Sequence, residues 1–168
     1  IAEPFWFEGA AGRRTHAWYY PPSGGASTDA PLLVKSHSGP TAMARRGLSL
    51  GIQLWTTRGW GVVDVNYGGS TGFGRAYRER LNGEWGVVDV QDCAAAAQAV
   101  ITSGRAHPQR IAIEGGSAGG FTTLACLCFT DVFQVGACRY AVSDLMALAR
   151  PLSHLSNQGK TLKPQVRS

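Results

Sequence analysis

Charged residues make up only 16% of the 168, and no apolar run approaches the roughly 18 residues needed to cross a bilayer. No membrane association is expected. Cysteine is scarce: Cys93, Cys126, Cys128 and Cys138 are the four present, and none forms C-x-x-C. A zinc site or a disulfide framework is therefore not expected, no metal ligand is assigned, and the thiols point to a reducing, cytoplasmic compartment. Three of them stand among alanines and leucines, the setting of buried thiols. Lysine is scarce too, with 3 of the 16 basic residues, two of them (Lys160 and Lys163) in the last stretch. The net charge of +5 comes instead from scattered arginines: Arg13 and Arg14, Arg45 and Arg46, then Arg75, Arg78 and Arg80. Without a basic stretch interleaved with aromatics, nucleic acid is not an expected partner. Nucleotide-binding glycine motifs are missing as well. G-x-G-x-x-G is broken by Ser117 in one stretch and by Tyr77 in "GFGRAY", and no Gly-Lys-Ser/Thr occurs. No cofactor is expected. Ile1 opens the chain with no methionine and no charged-then-apolar leader pattern, so the sequence shows no signal peptide and reads as a piece of something longer.

What is present is enough for one domain with a core: 168 residues, 44% of them hydrophobic. "PFWF" and "THAWYY" read as early strands, closed by the turn-rich "PPSGGASTDAP". Leu32 to His37 is a short apolar strand. "ARRGLSLGIQLWTTRG" sets Leu48, Ile52 and Trp55 at helical spacing, with Gly59 as the stop. "WGVVDVNY" is another strand, followed by the glycine-rich "GGSTGFG". Glu84 to Thr102 reads as a helix, "RIAIEG" as a strand, Ala118 to Phe129 as a helix and "FQVGACRYAVS" as a further strand. Strands alternating with helices imply right-handed βαβ crossovers, hence an α/β fold with a mostly parallel sheet and helices on both faces.

The chemistry concentrates at "AIEGGSAGGFTT". Gly115-Gly116-Ser117-Ala118-Gly119 is G-x-S-x-G between a strand and a helix, the setting of a nucleophile elbow. Glycines two residues either side let strand and helix approach closely, and the sharp turn lifts the serine hydroxyl to the positive end of the helix. The Ala118 amide is then placed to donate to an oxyanion formed when Ser117 attacks a carbonyl. A plain glycine turn is the alternative. A second donor belongs on the loop after "LLVK", where Ser38 and Gly39 offer amides and Pro40 stiffens the exit. An ordinary Ser-Gly-Pro turn is again the competing reading. His37 either lines the pocket or holds this loop by a hydrogen bond, the second being favoured. Tyr67 either reaches the site through its hydroxyl or supports the turn that follows it.

Three stretches in order, "LLVKSHSGPT", "GWGVVDVNYGGSTGFGRAYRERLNGEWGVVDVQDC" and "HPQRIAIEGGSAGGFTTL", resemble the catalytic domain of the prolyl oligopeptidase family. The dipeptidyl aminopeptidase and acylaminoacyl-peptidase branch is the one they are most similar to. The resemblance runs from about Pro31 to Arg150. It implies an α/β-hydrolase fold that cleaves short peptides through an acyl-enzyme. Ser117 matches the family nucleophile, while Ala118 and the loop His37-Ser38-Gly39-Pro40 match the oxyanion side. A second glycine is usual where Ser38 stands. The chain is thus expected to comprise an N-terminal β segment (1–30) leading into the catalytic domain, a partial hydrolase domain (31–150) incomplete at its C-terminal end, and a polar, irregular tail (151–168) that lacks clear periodicity.

In this fold the triad runs Ser, Asp, His along the chain. After Ser117 the only carboxylates are Asp131 and Asp144, and the only histidine is His154. Asp144 and His154 form at most a makeshift pair, because acid and base need separately placed rigid loops. Asp144 reads as a helix cap, Asp131 as a cap or turn after the nucleophile helix. His16 and His107 sit before the nucleophile and do not suit the role. A serine without its base loses on the order of a million-fold in turnover, so the 168-residue chain alone is expected to be nearly inactive. An open apolar edge at "VGACRYAVS" leads to the further expectation of self-association. Two other readings stay open: a non-catalytic remnant acting as an interaction module, and an esterase or lipase on the same fold.

Overall fold

The computed structural model describes residues 1–141. Asp144, His154, the tail 151–168 and the last residues of the expected sixth strand lie outside that range. One sheet of six strands runs through the described part, in the order β1-β2-β4-β3-β5-β6. β1 (Glu3–Glu8) and β2 (Arg14–Tyr20) form an antiparallel hairpin, and β2 continues antiparallel onto β4 (Gly61–Asn66). The N-terminal β segment is thus part of the same sheet. β3 (Leu32–Ser36), β4, β5 (Ile111–Gly116) and β6 (Val135–Arg139) are mutually parallel. β6 is the outermost described strand, and Val135 on it is 58% exposed.

Helices cover both faces. α3 (Val88–Thr102) and α4 (Ala118–Phe129) pack on one side, where Ala96, Ala97, Val100 and Cys126 meet Leu32, Val34, Val63, Val65, Ile111 and Ile113. Alanines on α3 bring its backbone close to the sheet, and each buried Val, Leu or Ile contributes about 1.5–3 kcal/mol. α1 (Leu50–Thr56) lies on the other face, with Ile52 against Tyr20, Leu33, Val62 and Ala112. A short α2 (Arg75–Arg78), prolonged by a 3-10 turn, follows the glycine-rich loop and was not expected. Among the described residues no helix is long and apolar enough to cross a membrane.

Several boundaries differ from the sequence expectation, for identifiable reasons. α1 begins at Leu50, not near Ala44, because the Asn66 side chain occupies the Ala44 backbone: Ala44 N–H donates to Oδ1 at 2.7 Å and Nδ2 donates to Ala44 C=O at 3.3 Å. Ser49 caps the helix instead, its hydroxyl accepting from Ile52 N–H. Leu48, expected on the buried stripe, is 86% exposed. α3 starts at Val88 rather than Glu84 because Gly86 adopts φ 87° and its N–H is taken by the Asp89 carboxylate at 2.6 Å. Of the cysteines in apolar surroundings, Cys93 and Cys126 are buried, but Cys128 is exposed, on the solvent side of α4.

Candidate functional site

The turn between β5 and α4 is tight because two glycines have no room for a side chain. A Cβ on Gly115 would collide with the Gly119 carbonyl and the Ser36 hydroxyl, and one on Gly119 would meet the Ser36 and His37 carbonyl groups. Between them Ser117 takes φ 53° and ψ −118°, a conformation that costs a non-glycine residue about 1–3 kcal/mol. Such strain persists only where surrounding structure over-determines it, and here that structure is visible. Ser117 N–H donates to Arg139 C=O at 2.9 Å on β6, and Ser117 C=O accepts from Phe121 N–H in the first turn of α4. Ser36 ties β3 to the same joint, its hydroxyl bonding Gly119 C=O at 2.8 Å and contacting the Thr123 hydroxyl at 3.2 Å. Held this way, Ser117 is exposed and makes no capping bond to its own helix.

The loop from His37 to Pro40 runs beside this elbow. Ser38 Oγ donates to Gly116 C=O at 2.9 Å, which docks the loop on the last residue of β5. Gly39 has φ 67°, a glycine-favouring value that reverses the chain. Among the described residues, the N–H groups of Ser38, Gly39 and Ala118 make no backbone hydrogen bond in a turn, loop or cap. Ala118 also begins a 12-residue helix, whose N-terminal end favours negative charge.

His37 and Tyr67 support the loop. The His37 ring stacks on Tyr67 at 4.3 Å between centroids, its Nε2 pairs with Ser70 Oγ at 2.7 Å, and its Nδ1 lies 3.2 Å from Ser38 C=O. Burial holds the imidazole below its ordinary value, against the opposing effect of the Ser38 and Gly39 carbonyls. Tyr67 is fully buried and donates its hydroxyl to His37 C=O at 3.0 Å. Its hydroxyl therefore serves the backbone of the loop. The Tyr67 turn is anchored in turn by Asp92 on α3, which accepts from Gly68 N–H and from Ala10 N–H, each at 2.7 Å. Asp89, one turn earlier, accepts from the Thr122 hydroxyl at 2.6 Å and so braces α4.

A cavity of about 380 Å³ opens beside the elbow, on the α1 face of the sheet. His37, Ser38 and Gly116 border it, with Arg45 and Arg139 lining it as well. Along it stand three charged residues that sequence reasoning did not single out: Asp64 on β4, Lys35 on β3 and Glu114 on β5. Lys35 and Glu114 are ion-paired. Burial pushes the Asp64 carboxyl up to about 6, with Lys35 opposing and Glu114 adding to the rise. The signal in the sequence was one charge inside each of the apolar stretches "LLVKS", "GVVDVN" and "IAIEGG".

No general base accompanies Ser117 among the described residues. His16 is buried on β2, its Nδ1 3.0 Å from Asn66 Nδ2 and its ring packed at 4.8 Å from both Trp6 and Trp18. His107 precedes β5, at the end of the sheet opposite Ser117, where its Nδ1 accepts from Gln109 N–H. Asp131 is exposed after α4. No group of three or more His, Cys, Asp or Glu that could hold a metal ion occurs among the described residues.

A strained serine between a strand and a helix, bordered by glycines, is shared by many hydrolases. What narrows it is the wider match: residues 46–158 fit the profile of the prolyl oligopeptidase family. The chain belongs to the prolyl oligopeptidase family. It is 37% identical over 126 residues to dipeptidyl aminopeptidase BIII of Pseudoxanthomonas mexicana, covering 74% of this chain and 18% of that one. It is 36% identical over 122 residues to dipeptidyl peptidase family member 6 of Caenorhabditis elegans, covering 72% of this chain and 16% of that one. Among solved structures, a Mycobacterium tuberculosis puromycin-hydrolyzing peptidase superposes with a TM-score of 0.83 at 47% identity, over 89% of this chain and 23% of its own. The chain thus spans less than a fifth of these two curated relatives. The sheet and its flanking helices are the α/β-hydrolase fold of prolyl oligopeptidase family members, as the resemblance implied.

Proposed function

We propose that the chain carries the nucleophile and oxyanion side of a serine peptidase that cleaves short peptides through an acyl-enzyme. The observation that carries this reading is Ser117, exposed at φ 53° on a joint where Gly115 and Gly119 tolerate no side chain. In the proposed step Ser117 Oγ bonds the substrate carbonyl carbon. The oxyanion takes hydrogen bonds from the Ala118 amide and from the Ser38 or Gly39 amide; the C–N bond then breaks, and the amine leaves carrying the proton that the Ser117 hydroxyl gave up. Oxyanion donors of this type supply about 2.7–4 kcal/mol each. His37 and Tyr67 act through the loop, which they hold. Membership of the prolyl oligopeptidase family and likeness to a puromycin-hydrolyzing peptidase support a peptide substrate over a simple ester. A cytoplasmic setting belongs to the same proposal, supported by four free cysteines. So does self-association through the outer edge of β6, which sedimentation of the purified chain would reveal.

Exhaustive treatment with a fluorophosphonate, followed by peptide mass spectrometry, tests the nucleophile. One adduct is expected, on Ser117, and none in Ser117→Ala. An unmodified Ser117, or equal modification of several serines, overturns the assignment.

A further inference from the structure

The cavity beside the elbow holds ionisable side chains that acyl transfer does not use. Register sets Asp64 opposite Lys35 and Lys35 opposite Glu114, so the three stand side by side across β4, β3 and β5. Trp18 is the register partner of Asp64 on β2, and Ala137 that of Glu114 on β6, so the row is closed by uncharged residues at both ends. A single ammonium therefore lies between two carboxylates. The position matters: the residue after Lys35 is Ser36, from which the His37–Pro40 loop departs, and the residue after Glu114 is Gly115, from which the elbow departs. The Lys35–Glu114 ion pair ties β3 to β5 on this face one residue before the Ser36–Gly115 register pair, and the Ser38 hydroxyl bond to Gly116 C=O lies just beyond it.

We propose that Asp64 is a positioning residue: its ionised carboxylate draws the Lys35 ammonium away from Glu114 and loosens the joint between the loop and the elbow, whereas protonated Asp64 leaves that joint closed. The inference rests on the reading of Ser117 and its loop as the reactive site. Geometry makes the exchange short, because Lys35 has a carboxylate at its register position on each neighbouring strand. Burial makes it responsive near neutral pH, since Asp64 changes charge at about 6. The other charged groups on this face are Arg45, from the segment between β3 and α1, and Arg139 from β6. Tyr20 on β2 feels the Asp64 charge, and α1 carries no ionisable side chain. His37 borders the same cavity with its own lowered value, so a test must separate the two.

Nuclear magnetic resonance of the isotopically labelled chain from pH 4.5 to 8 does so. It follows the Asp64 carboxyl carbon, the His37 ring and the Ser38, Gly39 and Ser117 amides together. The expected result is a common midpoint near 6 for Asp64 and for the Ser38 and Ser117 amides. Asp64→Asn removes that midpoint from the amides and leaves the His37 titration in place. Glu114→Gln also removes it, because Lys35 then has no ion pair with β5 to give up, and the Asp64 midpoint falls without the Glu114 charge. Amides that ignore the Asp64 midpoint, or keep it in either variant, overturn the proposal. Glu114→Gln alone suffices if Asp64→Asn does not fold. None of these signals requires a reactive serine, so an unlabelled Ser117 sinks the peptidase reading while a flat amide titration sinks this one.

Discussion

Replacing Gly119 by alanine adds one methyl group at the most crowded point of the molecule. The new Cβ would stand 2.8 Å from the His37 carbonyl oxygen and 2.9 Å from the Ser36 carbonyl carbon, and closer still to the Ser36 oxygen. Ser36 ends a strand paired on both sides, by β4 and by β5, and the His37 carbonyl is held by the Tyr67 hydroxyl, so neither can step aside without breaking hydrogen bonds. Overpacking a core costs typically about 1–3 kcal/mol, and the rigidity of this neighbour puts Gly119→Ala at about 3 kcal/mol or above. For a chain of this size each kcal/mol lowers Tm by roughly 2–4 °C, giving a fall on the order of 6–12 °C. Gly24→Ala is the matched control: nothing lies within 4 Å of its Cβ, and its effect should stay within about 0.5 kcal/mol. The assay is thermal or urea unfolding of the three proteins, combined with fluorophosphonate modification of Ser117. Because the carbonyls being pushed lead into Ser38 and Gly39, modification should slow in Gly119→Ala even well below its Tm. A Gly119→Ala protein that melts within about 1 °C of its parent would refute the claim that strand and helix are jammed together here.

Three further outcomes follow from the same geometry. Ser117→Gly should be more stable than Ser117→Ala by about 0.5–2 kcal/mol, since glycine relieves about 1–3 kcal/mol of backbone strain and gives back part of it as unfolded-chain entropy; equal urea midpoints would show that the elbow is unstrained. Asp92→Ala strands the Ala10 and Gly68 N–H groups, and at about 1–3 kcal/mol per buried donor should cost about 2–6 kcal/mol; a midpoint unchanged in urea would contradict it. Asp64 binds its proton more tightly folded than unfolded, its value rising from 3.8 to about 6, so the stability it adds is full below pH 3.8 and is lost as pH rises through 6. That loss amounts to at most about 3 kcal/mol, less with partial solvent access, and it should be absent from Asp64→Asn and so appear in the difference between the two proteins; parallel stability curves would count against it.

The parts of the site that could be read from the sequence are those set by neighbours along the chain. Gly115 and Gly119 flank Ser117 within five residues, and the apolar run before and helical run after it are local too. The supporting roles depend on distant partners. Tyr67 directs its hydroxyl to a carbonyl 30 residues away, and Asn66 dissolves the expected start of α1 through Ala44, 22 residues away. Neither distance leaves a periodic trace. The Asp64–Lys35–Glu114 row was hidden for a different reason. Each charge is visible in its own strand, but only the register of three parallel strands, set by α/β crossovers of very different length, makes them neighbours. Cys128 shows the converse error: its leucine and alanine neighbours in sequence point elsewhere around the helix, and composition cannot say which way a residue faces.

The carboxylate of Asp92 also sets an order on the birth of the molecule. It joins the turn after β1 to a helix 82 residues further on, so that tie cannot form until α3 has been made. At synthesis rates of about 5–20 residues per second that interval is on the order of 4–16 s. For that time the Ala10 N–H lacks its carboxylate partner, and the hairpin rests on the pairing of β2 with β4.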